Sequence, residues 1–541
     1  MANITKNNEE ITKPPITKAV VFSRLATAFV IVMLAVFPLY LNQQKYYGLT
    51  GHKATFLWTL MLLTALAMFI LWLAFINEKK DPLKPRAGRL SVAELAALAY
   101  FVLLCVSAAL SPFADTLPEG YLFFGNTDPD SERFDGLITH ACYVAMFFIV
   151  SRLYKPHHRD MIIFAVSSCV LSLIGVFQFL GADLYIDRFL GVDDKGRPNF
   201  LLFPYGRLGM DYPYASQDIF FRTTLGNVDI VSAYVCITVV LFTALYCLTK
   251  ERRRFFYLAA AVLSFVMMMI GDADSGKLGV LSGFILLFAL IVTNRAALSR
   301  FFLTLGASSL LCTIRGAAVD ARARFEAGGS QDILYWGNLG RSAYLWLGLF
   351  FILAAVGLHY LPVWFKASRL KAAGITLAAI AVIGVVGLNI VGARETNHGS
   401  VLWQANEVLH GRIEDEFGTN RGFIWTRTMT TISHHPLLGT GPDTFGQAFA
   451  EFQREAVEKT QVTYDKAHND VLQVAVCSGL LGLAAYLAWI FGAVVRGSKR
   501  LFTSNLALAV TLTIVASFVQ SLFGVAVPIA TPLFFVLLGM L

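Results

Sequence analysis

Charge is scarce in this chain. Only 15% of its 541 residues are Asp, Glu, Lys or Arg, against about a quarter in soluble domains, while 56% are hydrophobic. That balance excludes an ordinary soluble protein and indicates a polytopic membrane protein. Paired cysteine spacing is also missing. Cys105, Cys142, Cys169, Cys236, Cys247, Cys312 and Cys477 lie in or beside apolar runs, so neither a disulfide framework nor a zinc site is expected. There is no glycine-rich nucleotide loop, internal repeat or low-complexity tract. No basic connection is long enough to fold into a nucleotide-using domain. The net charge of +8 sits in short connections between apolar runs, where it orients the chain in a bilayer and gives no argument for nucleic acid.

What is present is hydrophobic length. Runs of about the ~20 residues that cross a bilayer fall near 20–41, 55–76, 91–110, 136–153, 160–180, 227–248, 255–271, 277–293, 300–316, 342–360, 372–392, 470–495, 502–523 and 527–541. The run at 300–316 is the weakest, being short and ending at Arg315. Alternate connections are basic: 78–89, 151–159, 249–254, 294–300, 366–371 and 496–500. The positive-inside rule then predicts an all-α membrane protein of about fourteen transmembrane helices with both termini cytoplasmic. Dropping 300–316 would put later basic loops on the wrong side. The first run is too long for a signal-peptide core and is expected to stay as an uncleaved span. Three parts follow: a bundle of about eleven spans over 1–392, a structured extracytoplasmic loop over 393–469, and C-terminal spans over 470–541.

The outward connections carry the polar chemistry. Arg133 closes 111–135, and Arg188, Arg197, Arg207 and Arg222 lie in 181–226. Arginines are depleted on that side, so several together suit a phosphate or diphosphate, which guanidinium groups grip in fork geometry; lipid headgroups or neighbouring carboxylates are the other partners open to each. Asp272, Asp274, Ser275 and Lys277 form a polar patch at a span junction. Phe445, Phe449 and Phe452 make a helical stripe that serves packing or a membrane surface. Gly439, Gly441 and Pro442 predict a turn aiming the loop back at the bundle. His434 and His435 precede Pro436 at a probable helix end, where capping or metal binding with Asp443 are the two readings. Asp465 is a candidate N-cap for the helix after 469, which puts His468 in its first turn, where the helix dipole disfavours imidazolium. His468 is then a general base, or a residue satisfying interfacial hydrogen bonds.

Several stretches resemble the O-antigen ligases and the related polymerases of lipid-linked glycans. ERFDGLITHACY (132–143) resembles that family's Arg-x-x-Gly segment, and TLGNVDIVSAYV (224–235) its Gly-Asn segment. Arg421 and Trp425 with HPLLGTGPDTF (435–445), and then KAHNDVLQVAVCSGLLGLAAYL (466–487), resemble its remaining motifs. The chain departs from the pattern at Ser275-Gly276-Lys277, where the family often shows Ser-Arg. The resemblance implies a glycosyltransferase of the cytoplasmic (inner) membrane, taking its glycan from an undecaprenyl diphosphate carrier on the outer face. It implies His468 as catalytic base, and Arg133, Arg222, Lys277, Arg421 and Asn469 as substrate-binding residues. It implies no metal and no nucleotide cofactor; the partners are the lipid-linked donor, a glycan, lipid or protein acceptor, and the bilayer. The competing class is a lipid-linked glycan flippase, which needs charges inside a central cavity and has little use for a long outward loop ending in His. A non-catalytic scaffold of an envelope assembly is the third.

Overall fold

The computed structural model describes residues 17–41, 48–76, 89–128, 131–181, 223–271, 273–326, 342–361, 368–395 and 400–541. Among the described residues there is no strand, as the all-helical reading expects. The helices of the first half are α1 (Lys18–Ile31), α2 (Leu49–Ala74), α3 (Val92–Ala109), the short α4 (Tyr121–Phe124), α5 (Leu137–Leu153), α6 (His158–Gly181) and α7 (Val228–Leu248). Next come α8 (Arg254–Gly271), α9 (Asp274–Ile291), α10 (Arg295–Glu326), α11 (Ala343–Tyr360) and α12 (Arg369–Val391). The long connection holds α13 (Val401–Leu409), α14 (Phe417–His434), α15 (Phe445–Ala448) and α16 (Ala450–Thr460). The chain closes with α17 (Asp470–Ser498), α18 (Asn505–Ser521) and α19 (Thr531–Gly539).

Eleven of these helices are long and apolar enough to cross a membrane, and the weak 300–316 run is among them as the start of α10. This is a multi-pass membrane protein. Two apolar helices, α5 and α18, are shorter at 17 residues each. The last run begins as a helix only at Thr531, with proline in the first turn. Pro528 and Pro532 explain the late start, because proline is tolerated in a first helical turn and not beyond it. The nine residues of α19 extend about 14 Å, roughly half of a hydrocarbon core.

Helix α7 is central, buried along nearly its whole length, and packs on α8, α9 and α18. By contrast α12 buries only Ala372 and Ala373 and presents its apolar surface outward. Where the basic connections lie, Ser91 and Glu94 form a capping box at the start of α3. Glu94 also accepts 2.6 Å bonds from both Nε and Nη2 of Arg152 at the end of α5. The cap therefore doubles as a staple between two spans.

Helix α17 lies along α3 and is broken in its upper third. Gly479 takes φ +68°, ψ −179°, which removes the ladder bonds around it. Four of the groups so released find partners in the loop 436–441. Leu480 N–H donates to Pro436 O (2.8 Å), Leu481 N–H to Leu437 O (3.3 Å), while Val476 O and Cys477 O accept from the N–H groups of Thr440 (2.9 Å) and Gly441 (3.0 Å). Ser107 of α3 gives Cys477 O a second donor at 2.8 Å. The sequence reads this glycine loop as a turn back to the bundle. It is also a plug that completes a broken helix, as backbone at membrane depth requires.

Two glycines meet in the plug. A Cβ on Gly439 would lie 2.5 Å from Gly479 N and Val476 O. Gly439→Ala is therefore expected to destabilise the folded protein by on the order of 3 kcal/mol, read as a lowered midpoint of thermal unfolding in detergent. Gly384→Ala on α12, where a Cβ meets nothing within 4 Å, should leave the midpoint unchanged or slightly raised.

Candidate active site

The segment Glu132-Arg133-Phe134-Asp135 is fixed residue by residue. Glu132 accepts the Thr50 and Gly51 N–H groups at 2.7 and 3.2 Å, capping the start of α2 with a carboxylate where the helix dipole favours one. Phe134 takes φ +52° and its carbonyl accepts from Thr139 Oγ1 at 2.6 Å. Asp135 is buried against Lys466 Nζ (2.7 Å) and His140 Nε2 (3.3 Å). Arg133 turns the other way, with Nη2 donating to Asp465 at 3.0 Å. Its Nε is 2.8 Å from the second carboxylate oxygen but too poorly aligned for a hydrogen bond.

Lys466 is the centre of a buried polar node. Its ammonium bridges Asp135 and Asp443, the latter at 2.8 Å, and Asp443 also accepts the Asn126 N–H at 2.7 Å. Burial alone would lower the Lys466 pKa, but the two carboxylates outweigh it and hold the amine above its ordinary value. Burial would raise Asp135, yet Lys466 and His140 keep it below the usual carboxylate range. Asp443 goes the other way, raised first by burial and also by Asp135.

His468 lies two residues beyond this node. Asn469, not Asp465, is the N-cap of α17, its side chain accepting the Leu472 N–H at 3.1 Å. That corrects the first-turn placement: His468 stands one residue before the cap, with φ +50°. Asp465 is free for Arg133 because it does not cap. The His468 imidazole is edge-on to Tyr464, ring centres 6.3 Å apart. Burial lowers its pKa, the Arg421 guanidinium lowers it further, and Asp229 and Asp465 pull against them. Neutrality at pH 7 thus stands on burial and a neighbouring cation.

Arg421 follows three residues, Gly418, Thr419 and Asn420, all in the left-handed region. Its Nη1 donates to Gly418 O at 2.6 Å, while Nε is buried with no partner. One turn on, the Trp425 Nε1 is likewise buried and unpartnered, and its ring packs on Phe417 and Phe523. Left-handed non-glycine backbone is uncommon and collects where structure over-determines it. Among the described residues it occurs at His468 and beside Arg133 and Arg421, and also at Thr223, Asp443 and Gln461.

Lys277 is held by Asp274 at 2.9 Å in the first turn of α9. That turn reaches α7 through Ser275 and Ser232 (3.0 Å), and Ser232 bonds the Asp229 carbonyl at 2.7 Å. Lys277 therefore shares an end of the bundle with the Asp229 that acts on His468. Arg222, with Arg188, Arg197 and Arg207, lies outside the described residues, as do Asp272 and the rest of 182–222. Asn469 spends its side-chain oxygen on capping. Phe445 and Phe449 are fully buried and stacked at 5.1 Å, which makes the stripe packing. His434 is half exposed beside Glu451 at 3.5 Å. Among the described residues no three His, Cys, Asp or Glu side chains converge as metal ligands would.

A separate lattice of charges holds the long connection together. Arg427 bonds Asp415 and Glu455 at 2.7 Å each, Lys459 bonds Asp415 at 2.5 Å, and Arg427 lies 4.4 Å over the Phe423 ring. These residues tie α14 to α16.

Lys466, Asp135 and Asp229 have no role in the sequence reading, and Asp443 enters it only in the metal reading of His434 and His435. Their signal was position: each lies inside a stretch already singled out, within two residues of Arg133, of the glycine turn, of His468 or of Asn227.

Residues 337–487 match the model of the O-antigen ligase family. No curated protein matches the chain. The matched region spans α11 to the first part of α17 and so includes Arg421, the glycine plug, Lys466, His468 and Asn469. Arg133 and Lys277 lie before it in sequence. In space, Arg133 is bonded into the matched region through Asp465.

Titration of His468 tests this geometry without reference to activity. The imidazole should protonate only below the ordinary value of about 6.5, read from the pH dependence of its carbethoxylation by mass spectrometry. Arg421→Gln removes a cation that disfavours the charged form, so the midpoint should move up.

Proposed function

We propose that the protein is a membrane glycosyltransferase that moves a glycan from an undecaprenyl diphosphate carrier to an acceptor hydroxyl at the outer face of the cytoplasmic membrane. The observation that carries this reading is a partly buried His468, its charged form disfavoured by desolvation and by Arg421, in a segment within the O-antigen ligase match. In the reaction His468 takes the hydroxyl proton as the acceptor oxygen attacks the anomeric carbon. The bond from that carbon to the diphosphate oxygen breaks, and its electron pair leaves with the diphosphate. Arg421 and Arg133 face the developing negative charge, with Arg222 and Lys277 as further cations. The unpartnered Arg421 Nε is a donor in want of an acceptor. Arg133 is held by Asp465 at about one-third exposure, so a diphosphate has to displace a carboxylate from it. The acceptor class stays open between a lipid-anchored oligosaccharide, another carrier-bound repeat, a protein hydroxyl and a wall polymer. Mass spectrometry of envelope glycans in a deletion strain separates these: long chains lost with the modified acceptor retained means polymerase, and full-length glycan accumulating on the carrier means ligase.

The reading also takes the fourteen apolar runs as spans, with both termini cytoplasmic and 393–469 outside. Arg454→Cys, on a largely exposed side chain, should react with an impermeant maleimide in spheroplasts, and Arg252→Cys should not. The reverse pattern would overturn the orientation and the donor with it.

His468→Ala should abolish transfer with insertion and protein level intact. Arg421→Lys keeps the charge but loses the fork. Turnover should then fall about 100-fold or more, the scale of a lost preorganised donor. Near-normal turnover in either variant would remove the role assigned to that residue.

A further inference from the structure

Lys466 precedes His468 by two residues, and Asp135 follows Arg133 by two. The two segments are laced by two ion pairs of different character. Arg133–Asp465 is partly exposed, while Asp135–Lys466 is buried. Lys466 also grips Asp443, which follows directly on the loop that plugs α17. One ammonium group thus joins the Arg133 segment, the plug loop and the His468 segment. The joined backbone is held where side chains ordinarily avoid it: Phe134 at φ +52°, Asp443 at +59° and His468 at +50°. A buried ion triad is poor evidence for stability, since apolar residues of similar volume often do as well, and its better-attested use is to specify one geometry. Here the geometry specified is that of the candidate base and a candidate diphosphate ligand.

We infer that Lys466 is a positioning residue for glycan transfer: held between Asp135 and Asp443, its ammonium sets the placement of the His468 imidazole relative to the Arg133 guanidinium. This rests on the roles proposed for those two groups, and one arm of the test is independent of them. The arrangement also explains why Lys466 is sunk in the fold. An ammonium on the surface would be hydrated and mobile, whereas a buried one bonded to two carboxylates has a single position.

The test uses the full-length protein in lipid nanodiscs, as wild type, Lys466→Met, Lys466→Arg and Asp135→Asn/Lys466→Met. The double variant removes one of the carboxylates that Lys466→Met would leave unpaired, and so preserves folding if the single variant loses it. Three readouts are taken: transfer from membrane-extracted lipid-linked glycan, the KM for that donor, and the pH midpoint of His468 carbethoxylation. With Lys466→Met, kcat should fall about 100-fold, the scale of an ångström-sized misplacement, with KM changed less than about threefold. The His468 midpoint should move up toward that of a free imidazole as the loosened segment admits water. Lys466→Arg should restore about a tenth or more of the wild-type rate. Transfer within about threefold of wild type in Lys466→Met, or in the double variant if the single one does not fold, overturns the inference. So does loss of transfer with an unmoved His468 midpoint. If His468→Ala retains transfer while Lys466→Met still moves the midpoint, the base assignment fails and the positioning effect stands.

Discussion

A peptide group in hydrocarbon has no water to bond to, and one left unpaired there costs several kcal/mol. The break at Gly479 leaves four such groups in the first third of a spanning helix. Their repair by Pro436, Leu437, Thr440 and Gly441 decides where the long connection must sit. Once the plug is seated, Asp443 is delivered beside Asn126 and Lys466. Lys466 then pulls in Asp135, and with it the segment bearing Arg133. On the other flank the same helix begins at Asn469, which leaves His468 just outside the bundle. The polar site is a consequence of satisfying the backbone of α17.

The charges around this site divide by exposure, and exposure decides what they do. The Arg427–Asp415–Lys459–Glu455 lattice is partly wet. Pairs of that kind contribute little each and weaken in salt, so the lattice aligns α14 with α16 without making them rigid. The Lys466 node is dry, and losing one member there would strand a buried charge at a far larger penalty. Between the two regimes sits His468, buried enough to stay neutral and flanked by cations that reinforce the neutrality.

The periodicity of hydrophobic runs made the bundle legible before any coordinates. Each of the fourteen runs contains or overlaps a helix, because a run of apolar residues in a chain with this little charge has few other fates. The last run was less legible, since its hydropathy conceals Pro528 and Pro532, which shorten the helix to Thr531–Gly539. Arg421 and His468 stood out because cations and imidazoles are conspicuous in apolar surroundings. Lys466 and Asp135 did not, because a lysine and an aspartate 331 residues apart carry no mark of their pairing until the chain is folded. The cap of α17 was misjudged for a related reason. Asp465 and Asn469 are both good caps, and only the tertiary claim of Arg133 on Asp465 distinguishes them.

The plug also dictates an order of assembly. Residues 436–441 leave the ribosome before the segment that needs them, so in the proposed orientation they must already have crossed the bilayer when α17 enters it. Until they fold back, α17 would reside in lipid as a straight helix, its ladder intact and its glycine hinge unused. Docking of the loop then exchanges two intrahelical bonds for four bonds between segments. In that orientation the bent shape of this helix depends on the loop before it having been translocated, because the partners of its broken ladder lie in that loop.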